Sequence, residues 1–233
     1  MSDRSGTPPP PRPVAPVEST EVASTGSEHA VSRGYVIVGV LVASLGLALV
    51  LGVLVSAQRG DSAVDVAAAV RAAGCTLRVV DADDPRPHLT RLDARVEHNT
   101  FPPTNGLHYV FWAPWALYRA PVNQLQLVHN LEHGGVVVQY GDRVARRDVA
   151  ALTAWYGSDP SATVVAPLPA LGGRLALAAW TGPTKTERAA GSFGNGVLAL
   201  CRRFDVKAYT AFRSAYRYNG PEPFPRELLG PGL

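Results

Sequence analysis

Residues 128–135 read Val-His-Asn-Leu-Glu-His-Gly-Gly, and this stretch is the most informative part of the 233-residue chain. If it is helical, His129 and His133 lie on one face, about one turn apart, where both imidazoles can bind one metal ion. Glu132 is expected to project from a different part of the helix surface. Gly134 suits the left-handed cap that commonly ends a helix, so the helix is predicted to stop there.

The pattern on either side predicts an α+β domain with a small mixed β-sheet and flanking helices. Pro121 fits the first turn of a helix that continues over residues 122–133. A buried strand follows at residues 136–140. The other predicted elements are strands at 75–80, 163–166 and 174–181, and helices at 62–73, 147–156 and 205–216. The glycine-rich residues 191–196 are interpreted as a turn.

One transmembrane helix is predicted to precede this domain. Residues 34–57 contain no charged side chain, and at about 1.5 Å per residue they reach roughly 36 Å, enough to cross a bilayer. The proline-rich residues 1–33 are predicted to be a disordered cytoplasmic tail, and residues 58–233 an extracytoplasmic domain. The expected location is therefore the cell membrane, in a single pass. Cleavage after residues 55–57, which read Val-Ser-Ala, is the alternative.

Charge and cysteine content limit the partners and the compartment. The net charge is only +3 and the arginines are scattered, which argues against a nucleic-acid partner. Cys75 and Cys201 both follow the apolar stretch, and an even number of cysteines outside the cytoplasm predicts a disulfide. Two separate buried thiols are the alternative.

Four histidines lie between residues 98 and 133, and they predict a transition-metal site. Imidazole is a good ligand for zinc and copper, and a metal site needs three or four converging donors. His129 and His133 supply two, His108 in a Pro/Gly-rich loop is the expected third, and His98 is the fourth candidate. The alternative is a histidine cluster that is only hydrogen-bonded and that shapes a pocket.

Residues 129–133 also match the His-x-x-Glu-His pattern of inverted zinc proteases, in which the glutamate activates a metal-bound water. This match makes Glu132 a candidate catalytic residue of a metal-dependent hydrolase. The pattern is short, however, and the predicted helix ends one residue after it, so enzymatic activity is left open. Glu132 could instead orient a histidine ligand or pair with an arginine.

The aromatic residues that precede the helix suggest a different function. Trp112, Trp115 and Tyr118 could form a platform for a glycan or for a partner protein of the cell envelope. The alternative is a buried aromatic corner. A binding or assembly module without a metal, lined by these aromatics and the histidines, is therefore the second functional hypothesis.

Two stretches resemble the signatures of domain-of-unknown-function family 3105, a group of bacterial membrane-anchored proteins. Residues 102–109 read Pro-Pro-Thr-Asn-Gly-Leu-His-Tyr and resemble its Pro-Pro-Thr-Ser-Gly-Pro-His-Tyr signature, with departures at Asn105 and Leu107. Residues 128–137 are similar to its second signature, and the overall resemblance spans residues 67–224. It implies the architecture and the location, but no established activity. It also raises Glu222 as an acidic candidate near the site, with an exposed turn residue as the alternative.

Overall fold

The computed structural model describes residues 66–233. The predicted tail at residues 1–33, the predicted transmembrane helix at 34–57 and the beginning of the predicted outer domain all lie outside the described residues. Within residues 66–233, none of the helices is both long and apolar enough to span a bilayer.

Five strands form one mixed sheet, which confirms the predicted α+β class. The strands are β1 (Thr76–Asp81), β2 (Val136–Tyr140), β3 (Thr163–Pro167), β4 (Leu175–Thr181) and β5 (Asn195–Cys201). Their order across the sheet is β1-β5-β4-β2-β3. Only β2 and β3 pair in parallel, and the other neighbours are antiparallel. The sheet is therefore small and mixed, as predicted.

Helices cover both faces of this sheet. They are α1 (residues 66–72), α2 (Gln124–Glu132), α3 (Arg146–Ser158), α4 (Lys185–Ala189) and α5 (Val206–Tyr216). Alternate side chains of β2 point to opposite faces, as expected for a strand. Val136 and Val138 pack into the apolar core with residues of α1, α3 and α5, whereas Val137 packs with α2. Helix α2 therefore packs on the face opposite α1, α3 and α5, and this face carries the histidines.

The strand β5, which lies between β1 and β4, and the short helix α4 were not predicted from the sequence. The interpretation of residues 191–196 as a turn included Asn195 and Gly196, which in the structure begin β5. A glycine inside a strand usually weakens it, but it also permits close approach of another segment. A Cβ atom at Gly196 would collide with Thr104 and Asn105, so the glycine admits the loop that carries His108.

The predicted disulfide between Cys75 and Cys201 is present. Cys75 immediately precedes β1 and Cys201 ends β5, so the bond joins the ends of two adjacent antiparallel strands. Both cysteines are buried against the core that contains α1, α3 and α5. The bond closes a chain segment with a sequence separation of 126 residues.

Replacing both cysteines by alanine is expected to lower the free energy of unfolding by about 4–5 kcal/mol, because a long loop in the unfolded chain would no longer be closed. Equilibrium denaturation in guanidinium chloride measures the change. Wild-type protein treated with a reductant is the matched control and should shift by a similar amount. An unchanged midpoint in both samples would show that the bond contributes nothing to stability.

Candidate functional site

Helix α2 begins at Gln124, two residues after the predicted start at residue 122, so Pro121 is not part of the helix. The side-chain oxygen of Asn123 accepts a hydrogen bond from the backbone N–H of Leu125 at 2.9 Å, which makes Asn123 the N-cap. Asparagine is among the strongest N-cap residues, since it satisfies an N–H that has no partner within the helix. The cap therefore fixes the start of the helix and thereby helps to determine which direction the histidine side chains face.

The glycine pair ends α2 in the predicted left-handed conformation, with φ of +84° at Gly134. The N–H of Gly134 donates to the carbonyl of Leu131, and the N–H of Gly135 donates to the carbonyl of Asn130. This is the Schellman arrangement, which satisfies the last carbonyls of the helix. A Cβ atom at Gly135 would lie 2.5 Å from the Trp115 ring. The second glycine is therefore required by packing.

Two buried asparagines hold the loops that face α2. The amide of Asn130 accepts a hydrogen bond from the N–H of Ala113 and donates one to its carbonyl, at 3.0 and 2.8 Å. The amide of Asn105 accepts from the N–H of Asp83 and donates to Thr104. Both asparagines are fully buried. Asn130 therefore connects α2 to the segment that contains Ala113. Asn105 connects the loop that carries His108 to the segment after β1.

Three of the predicted metal ligands share one feature, which is that the Nδ1 atom of the ring donates to a backbone carbonyl. The acceptors are Gly106 for His108 at 2.8 Å, Tyr109 for His129 at 2.7 Å, and Glu222 for His133 at 3.0 Å. A carbonyl oxygen only accepts, so each Nδ1 carries the hydrogen. In a neutral ring the Nε2 atom is then a bare lone pair. Such an outer hydrogen bond is what orients histidine ligands in metal sites.

The Nε2 atoms meet other electron-rich atoms at short distances. His129 Nε2 lies 2.8 Å from His133 Nε2, and His108 Nε2 lies 3.0 Å from Glu132 Oε2. With Nδ1 already protonated, each contact brings two lone pairs together unless a cation lies between them or one ring becomes an imidazolium. His108 and Glu132 are 0 and 1% exposed, so water cannot relieve this repulsion.

The protonation of two of these groups is shifted by the site. Burial is the main cause that lowers the pKa of His129 to about 4, and the neighbouring His133 and His108 add to it. Burial is also the largest influence on Glu132 and would raise its pKa. The hydrogen bond with His108 and the charges of His108, His88 and His129 outweigh it and lower the pKa of Glu132. At neutral pH, Glu132 is therefore a buried carboxylate and His129 a neutral ring.

The potential ligand atoms fall into two sets that share Glu132. Within each set the atoms lie within 4.8 Å of one another. The first set contains His129, His133 and Glu132, and the second contains His88, His108 and Glu132. Glu132 was predicted to project from a different part of the helix surface. It follows His129 by three residues, a spacing at which side chains on a helix are neighbours, and its carboxylate lies within 4.8 Å of the ligand atoms of both histidines. The structure thus pairs His129 with His133 and places His108 in the other set.

His98 belongs to neither set among the described residues. Its Nε2 atom donates to the carbonyl of Leu107 at 3.0 Å, so it supports the loop that carries His108. Glu222 lies beside the site, but it contributes its backbone: its carbonyl accepts from His133 and its N–H donates to the carbonyl of Glu132 at 3.1 Å. Its side chain is exposed.

His88 was not predicted from the sequence as a site residue. It lies in the Pro/Asp-rich segment after β1, where an isolated histidine carries no periodic signal. Two backbone hydrogen bonds hold the segment of His88 beside the loop of His108. The N–H of Leu89 donates to the carbonyl of His108, and the N–H of Val110 donates to the carbonyl of Leu89. Its Nε2 atom thereby lies 3.4 Å from Glu132 Oε2. The only signal in the sequence that points to His88 is that it is one of the five histidines after residue 57.

A cavity of about 250 Å³ opens onto the second set of ligand atoms, with His88, Glu132, Trp180 and Phe193 in its wall. The side chain of His88 is 33% exposed, whereas that of Glu132 is 1% exposed. Solvent therefore reaches the site from the side of His88.

The aromatic residues are mostly structural. Trp115 is 0% exposed and packs in the core beneath α2, which contradicts a surface platform that includes it. Trp112 packs edge-on against His129 and His133, with ring centroids 5.5 and 5.2 Å away. Phe224 contacts His133 from the C-terminal segment, at 4.4 Å between centroids. These rings form an apolar wall beside the two imidazoles and exclude water from them.

A family model described as "Protein of unknown function (DUF3105)" matches residues 90–223. The chain belongs to this family. The match includes His98, His108, His129, Glu132 and His133, but it begins after His88. No curated protein and no solved structure matches the chain significantly.

Replacing Gly135 by alanine is expected to destabilise the domain by about 2 kcal/mol or more, because the new methyl group would collide with the buried ring of Trp115 and with the carbonyl of Asn130. Urea denaturation measures the change. Gly157→Ala is the matched control: this glycine lies in α3 with nothing near its Cβ position, so alanine should be neutral or stabilising by up to about 1 kcal/mol. Equal effects of the two substitutions would contradict the packing role of Gly135.

The stability of the metal-free protein is expected to fall as the pH decreases from about 6.5 to about 4. The pKa of His129 is lower in the folded protein than in the unfolded chain, so the unfolded state binds more protons in this range. The contribution is fully present above the unfolded pKa and amounts to at most about 3 kcal/mol. Denaturation midpoints between pH 4.5 and 7.5, with a chelator present, test it against a His129→Gln variant. The stability of the variant should change less with pH than that of the wild type. A stability that rises on acidification would show that the rings share a bound proton.

Proposed function

We propose that this protein binds a transition-metal ion through His129, His133 and Glu132, in a domain held on the outer side of the cell membrane. The observation that carries the proposal is the 2.8 Å contact between the Nε2 atoms of His129 and His133 while both Nδ1 atoms donate to backbone carbonyls. A metal ion is the species that both lone pairs can bind at once. Zinc and copper are the metals that suit imidazole and carboxylate donors.

A proton is the competing occupant of this contact, and burial opposes it. A hydrogen bond between the two Nε2 atoms requires one ring to be an imidazolium, since both Nδ1 atoms keep their hydrogens. The low pKa of His129 shows that its surroundings disfavour a positive ring. The Glu132 carboxylate favours either positive species, but a metal ion can bind this carboxylate directly together with both Nε2 atoms. Two nitrogens bound to zinc at about 2.0–2.1 Å with a tetrahedral angle lie about 3.3 Å apart, so the rings would separate by roughly 0.5 Å.

The surroundings of the donors support a hard or borderline metal. Both cysteines of the described domain are joined in a disulfide, and the only methionine is Met1. Thiolate and thioether ligands, which favour Cu(I), are therefore missing from the described residues. Among these residues, no lysine or arginine forms a salt bridge with Glu132, whose ionisable neighbours within 4 Å are His88 and His108.

The proposed outer location is supported by the apolar residues 34–57 and by the disulfide. Disulfides persist in oxidising compartments and are rare in the cytoplasm of mesophiles. A tethered domain with its C-terminus outside the membrane is consistent with both features.

A metal-dependent hydrolase that uses Glu132 as its base has weaker support. Glu132 Oε2 lies 3.0 Å from His108 Nε2 and 3.4 Å from His88 Nε2, and the carboxylate belongs to both sets of potential ligands. A carboxylate engaged in this way is not positioned to take a proton from a metal-bound water. Glu132 is better suited to bind the ion than to act as a base.

The purified full chain, produced with a histidine-free tag, is expected to retain a transition metal after mild dialysis, because the donors are buried and oriented in advance. Elemental analysis measures the metal per chain. The His129→Ala/His133→Ala variant should hold at least one ion fewer, whereas His98→Ala, in which the ring outside both sets is removed, should match the wild type. Equal and negligible metal in all three proteins would reject the proposal and favour a metal-free binding module.

A further inference from the structure

We infer that the site holds a second metal ion, bound by His88, His108 and Glu132, so that the Glu132 carboxylate bridges two ions. This inference rests on the proposed function, because it places the second ion beside the one bound by His129 and His133. The second ion belongs to the same chemical class, a divalent transition metal that accepts imidazole and carboxylate donors.

The separation of the donors into two sets is the first argument. Donors of one ion at about 2.0–2.2 Å lie at most roughly 4.4 Å apart, so ligands of the same ion must be close together. His88, His108 and Glu132 come close to this limit within one set, and His129, His133 and Glu132 within the other, since the ligand atoms of each set lie inside 4.8 Å. Two ions use all five donors, with Glu132 common to both.

The second argument concerns the contact between His108 and Glu132. The Nδ1–H of His108 is donated to the carbonyl of Gly106, and its Nε2 atom faces Glu132 Oε2 at 3.0 Å. His88 Nε2 approaches the same oxygen at 3.4 Å. Two imidazole nitrogens thus converge on one carboxylate oxygen, and the three atoms form a second set of potential donors beside the pair on α2. Two metal ions in such centres lie about 3.5–4 Å apart, a distance that one carboxylate can bridge.

The two ions differ in their exposure. His129 and His133 are 5 and 4% exposed behind Trp112, whereas the side chain of His88 is 33% exposed in the wall of the 250 Å³ cavity. Water or a small anion can enter this cavity and complete the coordination of the outer ion. The outer ion is therefore expected to exchange faster and to be lost first when free metal is removed.

Equilibrium dialysis of the full chain against a fixed concentration of free Zn²⁺, about 10 μM, followed by elemental analysis, tests the inference. We expect two zinc ions per chain in the wild type and one in His88→Gln. The comparison variant His98→Gln removes a half-buried imidazole outside both sets but keeps a side-chain N–H that can donate to the carbonyl of Leu107, and it should keep two. Circular dichroism melting confirms that the variants fold, and His88 is chosen over the fully buried His108 because its replacement disturbs the core least.

Copper gives a second measurement that needs no variant. Two Cu²⁺ ions bridged by one carboxylate are magnetically coupled and produce a half-field signal in the electron paramagnetic resonance spectrum. A single Cu²⁺ ion gives the spectrum of an uncoupled centre, without this signal. One zinc per chain together with an uncoupled copper spectrum would overturn the second ion and leave the proposed function intact. No bound metal would reject both. Two zinc ions in His88→Gln would overturn the assignment of the ligands.

Discussion

The burial of the Glu132 carboxylate is the constraint on which the rest of the site depends. Glu132 is 1% exposed and ends α2, where the backbone carbonyls at the C-terminus of a helix add further negative potential. A buried carboxylate is tolerated only when positive charge or strong hydrogen bonds compensate it. The imidazoles of His88 and His108 converge on this carboxylate, and they come from segments far from α2 in sequence.

The backbone determines which atoms of the histidines face inward. Carbonyls from the loop before His108, from the segment after it and from the C-terminal segment each accept an Nδ1–H, and all three rings therefore direct Nε2 towards the site. The C-terminal segment also follows the end of α2 closely, because a side chain at Gly220 would collide with the carbonyl of Glu132. The orientation of the ligands and the fold of the chain around α2 thus have a common cause.

The two sides of the site differ in how they are protected. Aromatic rings cover His129 and His133, whereas the cavity leaves His88 in contact with solvent. The family match begins at residue 90, so the inner pair and His108 belong to the matched region while His88 lies just before it. The inner half of the site therefore lies within the matched region, and the outer half is completed by a residue that precedes it.

The sequence by itself determined the class of the fold, the disulfide, most helices and strands, and the importance of residues 128–135, because these follow from local periodicity, glycine conformation and cysteine count. It identified His108, His129 and His133, but it grouped them as one ligand set. Only the tertiary structure assigned His108 to a different set of potential donor atoms from His129 and His133, placed His98 outside both sets and brought His88 into one of them. The physical reason is that these positions depend on hydrogen bonds between distant backbone segments, such as that between Leu89 and His108, which no local pattern records. The same holds for β5, whose glycine is explained only by the loop that packs against it.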